Sequence, residues 1–158
     1  MKKYILVCFV VLNLVALSCF AQDTGQITLK GVIPAQTSIE VNPADIADKL
    51  DLLNSASDLK VAEVIERNNT PDGYTVTLTS QNEGSLNNGK DNTIKYSAKY
   101  AGKNAQLKNT PVVITDQGPQ TRPIQNQNIF SITYKGVAAD QAMAGEYSDL
   151  LTFTIKAK

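Results

Sequence analysis

The stretch AGEYSDLLTFTIKAK, residues 144–158, closes the sequence with a regular alternation. Leu151, Phe153, Ile155 and Ala157 are apolar, and the residues between them are Thr or Lys. Successive side chains of a strand point to opposite faces, so this pattern predicts a strand with one buried face. The printed sequence stops at Lys158, within that strand.

Tyr147 stands just before this strand and follows Gly145 and Glu146. In immunoglobulin-type sandwiches a tyrosine opens strand F, and its hydroxyl binds nearby backbone in a tyrosine corner. We interpret Tyr147 as such a fold-stabilising residue. Asp149 then stands where many of these domains carry a cysteine. On this interpretation strand F is the last strand, and strand G is missing.

Further alternating or apolar runs predict more strands, so that the total is six or seven. The two strongest runs are GYTVTLTSQ (73–81) and TIKYSAKYAG (93–102), which we predict to form a long hairpin around the polar loop 87–92. Weaker candidates are residues 58–66, 111–115 and 130–136. The stretch 120–128 is polar and is predicted to be a loop. One short helix or turn that crosses between the sheets is predicted at 42–53, with Asn42 as N-cap and Pro43 in the first helical position.

This pattern predicts an all-β fold, an immunoglobulin-like antiparallel sandwich that is incomplete because strand G is missing. Its core is expected to contain the inward residues of the predicted strands: Tyr74, Val76, Leu78, Ile94, Tyr96, Phe130, Ile132, Phe153 and Ile155.

Residues 1–21 have the layout of a secretory signal peptide. Lys2 and Lys3 precede an apolar run that ends at Leu17, and small residues follow near Ala21, after which we predict cleavage. Two alternatives are an uncleaved anchor and a lipoprotein processed at Cys19. Cleavage after Ala21 removes Cys8 and Cys19, so the mature chain is expected to be exported without a disulfide.

Composition argues against most catalytic and nucleic-acid functions. The chain contains no His and no Trp, and its two Cys lie in the leader, so the usual nucleophilic triads and zinc sites are not available. Lys and Arg number 13 once Lys2 and Lys3 are subtracted from 15, against 15 Asp and Glu. The acidic residues between Asp45 and Asp58 do not have the spacing of a calcium loop. We therefore expect no enzyme activity, no cofactor, no metal and no nucleic-acid partner.

The stretch QITLKGVIP, residues 26–34, places Ile27, Leu29, Gly31 and Ile33 on one face of an extended strand. Two interpretations are open. The stretch is the first strand of a self-sufficient sandwich that continues through Ile39 and Val41, or it is a strand made for another molecule.

The N-terminal alternation, the strand GYTVTLTSQN and the C-terminal stretch AGEYSDLLTFTIKAK together resemble subunits of chaperone–usher fimbriae and the related spore-coat-U-like secreted pilins. The resemblance covers most of residues 22–158. It implies a signal peptide (1–21), an N-terminal donor-strand extension (22–34) and an immunoglobulin-like pilin domain (35–158).

The resemblance also implies a function. Ile27, Leu29, Gly31 and Ile33 would form the donor strand, and Leu151, Phe153 and Ile155 the strand beside the acceptor groove. The partners would be like subunits, a periplasmic chaperone and an outer-membrane usher, and the product a cell-surface fimbria or a secreted polymer. The alternative is a secreted, self-complete β-sandwich that binds a ligand such as carbohydrate through loops like 87–92.

Overall fold

A computed structural model describes residues 24–90 and 92–158 of the chain. The predicted signal peptide and both cysteines lie outside the described residues. Residues 33–158 form one compact unit, and residues 24–32 belong to a separate N-terminal unit in which the described part has no regular secondary structure. No helix in the described ranges is long and apolar enough to cross a membrane.

The described residues of the compact unit form nine strands and one short 3-10 turn. The strands are β1 (Thr37–Pro43), β2 (Ala56–Asn68), β3 (Tyr74–Ser80), β4 (Ser85–Asn87), β5 (Thr93–Tyr100), β6 (Lys103–Ala105), β7 (Val112–Gln117), β8 (Ile124–Tyr134) and β9 (Leu151–Ala157), and the turn is Asp45–Asp48. All strand pairs are antiparallel.

The strands form two sheets. One has the order β1-β2-β8-β5-β4, with β6 also paired to β5, and the other has the order β7-β3-β9. An immunoglobulin domain has strands A, B, E and D in one sheet and C, F and G in the other. Here β1, β2, β8 and β5 take the places of A, B, E and D, and β3 and β9 those of C and F. The predicted all-β antiparallel sandwich is confirmed, and within the described residues no strand fills the place of G beside β9.

The core lies between the two sheets and contains the predicted residues. Six of them are buried, namely Tyr74, Val76, Leu78, Ile94, Phe130 and Ile132. The other three are half-buried, namely Tyr96, Phe153 and Ile155. Phe153 and Ile155 are less covered because β9 is an edge strand with a neighbour on one side only.

The predicted hairpin between residues 73–81 and 93–102 is wrong. β3 and β5 lie in different sheets, and β5 pairs instead with β4 and β8. The polar loop does close a hairpin, but its first strand is the short β4, with Asn87 opposite Thr93. Two strands that each bury one face cover a core equally well from facing sheets, so alternation alone could not choose between pairing and facing.

Of the short helix or turn predicted at 42–53, a turn is present, but the predicted helix start at Asn42 is wrong. Asn42 and Pro43 belong to β1, and only Asp45–Asp48 forms a 3-10 turn, with Ala44 in the N-cap position. The Ala44 amide donates to the Val61 carbonyl at 2.8 Å and so continues the β1–β2 ladder past the proline. A proline at the end of an edge strand loses no ladder hydrogen bond when its missing N–H would face outward.

Residues 124–128, predicted to be loop, form the first half of β8. Their inward-facing side chains include two amides that form hydrogen bonds to tyrosine hydroxyls, so this half of the strand is polar on both faces. The Asn126 amide donates to the Tyr74 hydroxyl at 2.9 Å, and the Asn128 amide donates to the Tyr100 hydroxyl at 3.2 Å. Half-buried side-chain amides with such partners fill the inner face of a strand, and the pattern of hydrophobic alternation does not reveal them.

Candidate functional site

Among the described residues, no strand pairs with the outer edge of β9, so its backbone groups are unpaired there. The Gln81 amide donates to the Leu150 carbonyl at 3.0 Å, and the Lys158 amide donates to the Gly73 carbonyl at 3.1 Å. Hydrogen-bonded pairs alternate along an antiparallel ladder, so the even-numbered residues of β9 bond to β3. The backbone N–H and C=O groups of Leu151, Phe153 and Ile155 therefore face the open edge.

The outer edge of β1 is open in the same way. The Asn69 amide donates to the Gln36 carbonyl at 3.1 Å, and Ala44 is bonded to Val61, so the even-numbered residues of β1 bond to β2. The backbone groups of Thr37, Ile39 and Val41 face outward, and Pro43 offers only its carbonyl. Among the described residues, each sheet therefore has one open edge with unpaired backbone groups at this point, β1 in one sheet and β9 in the other.

An apolar cleft of about 270 Å³ lies between these two edges, and we call it the β1–β9 cleft. Its wall from β1 is formed by Val41 and Pro43, and its wall from β9 by Leu151 and Phe153. Phe130, which is 1% exposed, and Ile132 lie beneath them. The cleft therefore opens directly onto the core.

The two edges are closer than a third strand between them would allow. Cα atoms of β1 come within 8 Å of Cα atoms of β9, although the two strands are not paired. Neighbouring strands lie about 4.8 Å apart, so an inserted strand needs about 9.5 Å between its flanking strands. The cleft must therefore widen by at least about 1.5 Å at its narrowest point to take a strand.

Asp149, which also lines the cleft, holds the residues just before β9 in place. Its carboxylate accepts hydrogen bonds from the Ser80 hydroxyl at 2.6 Å, the Tyr96 hydroxyl at 2.6 Å and the backbone N–H of Asn82 at 2.9 Å. Burial, together with the bond to this carboxylate, raises the pKa of Tyr96. The predicted tyrosine corner is present as well, because the Tyr147 hydroxyl donates to the Met143 carbonyl at 2.8 Å. These bonds fix the strand without a disulfide.

Phe153 links the cleft to the core. Its ring meets the Phe130 ring edge-on, with 5.4 Å between centroids, and lies 6.0 Å from the Tyr100 ring. Contacts of this kind add about 0.5–1.5 kcal/mol to the burial of the rings. Leu151, by contrast, is half-buried with its side chain in the cleft, so it is the better position for a substitution that leaves the core intact.

Glu66 supports the opposite end of the sandwich with a fully buried carboxylate. It accepts hydrogen bonds from the hydroxyls of Tyr74 (2.8 Å), Tyr100 (2.5 Å) and Thr115 (2.9 Å). Burial and these bonds raise the pKa of both tyrosines. Three hydroxyl donors take the place of a cation in compensating this buried charge.

Replacing Glu66 by Ala is expected to lower the free energy of unfolding by about 3 kcal/mol or more, because two buried tyrosine hydroxyls and the half-buried Thr115 hydroxyl lose their acceptor. Glu66→Gln should cost less, since one oxygen acceptor remains. Glu63→Ala, on the other face of β2, is the matched control and should cost within about 1 kcal/mol. Urea unfolding measures all three, and a loss in Glu66→Ala no larger than in Glu63→Ala would contradict the role of the carboxylate.

The residues predicted for the donor strand are exposed. The exposed fractions are 84% for Ile27, 85% for Leu29 and 88% for Ile33. A Cβ atom built on Gly31 meets nothing within 4 Å. Residues 24–36 form no strand, so QITLKGVIP is not the beginning of β1, although Ile39 and Val41 do belong to that strand.

The residues predicted for the acceptor strand are brought together only in part. Leu151 and Phe153 line the cleft, and Ile155 lies farther along the same edge, outside the cleft lining. The sequence interpretation missed the opposite wall, Val41 and Pro43. The sequence feature that indicates this wall is Pro43 after the alternating residues Ile39 and Val41, because a proline there is typical of the end of an edge strand as well as of a helix start.

The loop considered for ligand binding bonds largely to itself. The Asn87 side chain accepts from the Gly89 amide at 2.7 Å, and the Asn88 side chain accepts from the Lys90 amide at 2.9 Å. The Asn92 side chain donates to the Lys90 carbonyl at 2.7 Å. In the described parts of the chain, no group of three or more His, Cys, Asp or Glu residues is placed to hold a metal ion.

No protein-family model matches the chain, and no curated protein matches it by sequence. Among solved structures, the chain is similar to a chain in the structure of a chaperone–usher pilus that was used to explain the uncoiling of the pilus rod. The two chains are 15% identical, with a TM-score of 0.39, and the match covers 87% of this chain and 97% of that chain.

Proposed function

We propose that this protein is a structural subunit of a surface fibre that assembles by strand exchange. Residues 26–33 of one copy would enter the β1–β9 cleft of the next copy and take the place of strand G. The observation that carries the proposal is the apolar cleft itself, which opens onto the core between two strand edges with unpaired backbone groups.

The exposed segment and the cleft have matching chemistry. Unpaired edges beside half-buried apolar side chains such as Leu151 and Phe153 are an aggregation hazard unless another strand covers them. A strand with Ile27, Leu29 and Ile33 on one face supplies both the backbone partners and the apolar side chains. Complete burial of each side chain contributes roughly 1.5–3 kcal/mol. Gly31 on the same face suits a point where the inserted backbone passes close to the core.

The ends of the compact unit determine which insertion gives a fibre. Gln36, just before β1, bonds to Asn69, and Lys158, just after β9, bonds to Gly73, which is four residues farther along the chain than Asn69. The donor segment thus leaves the unit at the end where β9 finishes, which we call the base. Residues 136–150, which lead into β9, lie at the opposite end, the top.

A donor that runs antiparallel to β9 ends at the top of the acceptor, so the base of the donating copy meets the top of the accepting copy. This contact repeats without closing and gives an open polymer. A donor that runs parallel to β9 brings base against base, which blocks further addition and yields a swapped dimer. The proposal therefore requires the antiparallel orientation.

The same cleft would need cover before polymerisation. A strand of a periplasmic chaperone would fill it during export, and an outer-membrane usher would exchange that strand for the next subunit's segment at the cell surface. Removal of residues 1–21 would expose the donor extension for this step.

The test is the binding of a synthetic peptide of residues 24–34 to a chain from which residues 26–33 have been deleted. We expect a one-to-one complex and a raised melting temperature, because ligands that bind only the folded state stabilise it. A Leu29→Asp peptide should bind at least about 100-fold more weakly, since it buries a charge in the cleft. A Thr28→Asp peptide, altered on the opposite face, is the control. Equal binding of the two altered peptides, or no binding of the parent peptide, would contradict the proposal.

A further inference from the structure

Asn69 holds the three residues that precede β1 through three hydrogen bonds. Its backbone N–H donates to the Gln36 carbonyl at 3.1 Å. Its side-chain Oδ1 accepts from the Gln36 amide at 2.6 Å, and its Nδ2 donates to the Pro34 carbonyl at 3.0 Å. Proline has no N–H, so every backbone hydrogen-bonding group of Pro34 and Gln36 is bonded to Asn69.

These bonds bear on a competition that any strand-exchanging chain faces. Hairpin loops of two to five residues are common, so residues 34–36 are long enough to turn the chain back along the open edge of β1. The segment 26–33 would then fill the chain's own cleft, parallel to β9. A short connection gives such an internal segment an effective concentration in the millimolar range, which another copy does not match at ordinary concentrations.

We infer that Asn69 is a positioning residue that prevents this hairpin and so reserves residues 26–33 for a second copy of the chain. This inference rests on the proposed function. The bonds from Asn69 keep residues 34–36 on the β2 side, in line with β1, whereas the hairpin would need Pro34 to leave that side. Pro34 adds to the effect, because the residue before a proline prefers an extended conformation.

The experiment compares peptide binding by four chains at a concentration low enough to keep them monomeric: wild type, Asn69→Ala, and each of these with residues 26–33 deleted. The probe is the peptide of residues 24–34. In the wild-type background the deletion should leave the apparent Kd unchanged within about twofold. In the Asn69→Ala background the intact chain should bind the peptide at least about tenfold more weakly than the deleted chain, because its own segment competes.

Asn69→Asp retains the acceptor for the Gln36 amide but loses the donor to the Pro34 carbonyl, so its behaviour should lie between wild type and Asn69→Ala. Asn54→Ala removes an exposed hydrogen bond to Asp51 elsewhere and should behave as wild type. If the deletion changes the apparent Kd equally in both backgrounds, and the deleted chains still bind the peptide, the role of Asn69 is overturned and the proposed function stands. If the deleted wild-type chain binds no peptide, the proposed function fails and this inference fails with it.

Discussion

A chain without residues 26–33 is expected to fold and to form no multimers at all, whereas the intact chain is expected to form a ladder of them. The deleted residues precede β1 and contribute nothing to the two sheets, so the loss should be one of assembly and not of stability. Size-exclusion chromatography and gel electrophoresis of unheated samples measure the multimers, and urea unfolding measures stability.

Point substitutions sharpen this expectation. Gly31→Leu should suppress multimers nearly as well as the deletion, because a side chain added where the inserted strand passes the core costs about 1–3 kcal/mol or more. Thr28→Ser, on the opposite face, should assemble as the intact chain does. A deleted chain that unfolds, or that still forms the ladder, would show that the segment serves its own sandwich or that assembly uses another surface.

Leu151→Glu is expected to abolish acceptance of a strand while the chain still donates one. A carboxylate in the wall of the β1–β9 cleft would be buried by the inserted strand without a partner, at a cost of several kcal/mol, or more than about 100-fold in affinity. Since Leu151 is half-buried in the free chain, folding itself should suffer far less.

Thr152→Glu is the matched control, because Thr152 is the exposed next residue of the same strand. A mixture of Leu151→Glu and intact chains should still assemble, with the variant at the donating end only. Pull-down of tagged variant chains with untagged intact chains measures both directions. Equal loss in Leu151→Glu and Thr152→Glu would indicate damage to β9 and not to the cleft.

The fold could be predicted from the sequence because a strand with one buried face shows a regular alternation of apolar and polar residues. The alternations at Tyr74 to Leu78 and at Leu151 to Ile155 correspond to β3 and β9, and the geometry of Tyr147 was readable from its place before β9. The pairing of the strands could not be predicted, because residues 93–100 show the same alternation whether they face β3 from the other sheet or pair with it.

The candidate site was only half visible for a related reason. One wall of the cleft could be predicted from the alternation of apolar residues, since Leu151 and Phe153 are the inward residues of β9. The other wall, Val41 and Pro43, becomes a wall only because β1 ends beside β9. Asn69 gave no signal, since its hydrogen bonds join residues 33 and 35 positions apart, and local sequence patterns do not register such separations.

The most direct test of strand exchange is a cross-linking experiment in which both ends of the inserted strand are located. The chain from residue 22 onward contains no cysteine, so introduced cysteines react alone. Two pairs, Ile33→Cys with Leu151→Cys and Ile27→Cys with Ile155→Cys, should join different copies through a short thiol cross-linker within the multimers. The crossed pairs, Ile27→Cys with Leu151→Cys and Ile33→Cys with Ile155→Cys, should not. Cross-links confined to the crossed pairs would mean a parallel, swapped dimer, and the absence of any link between copies would contradict strand exchange itself.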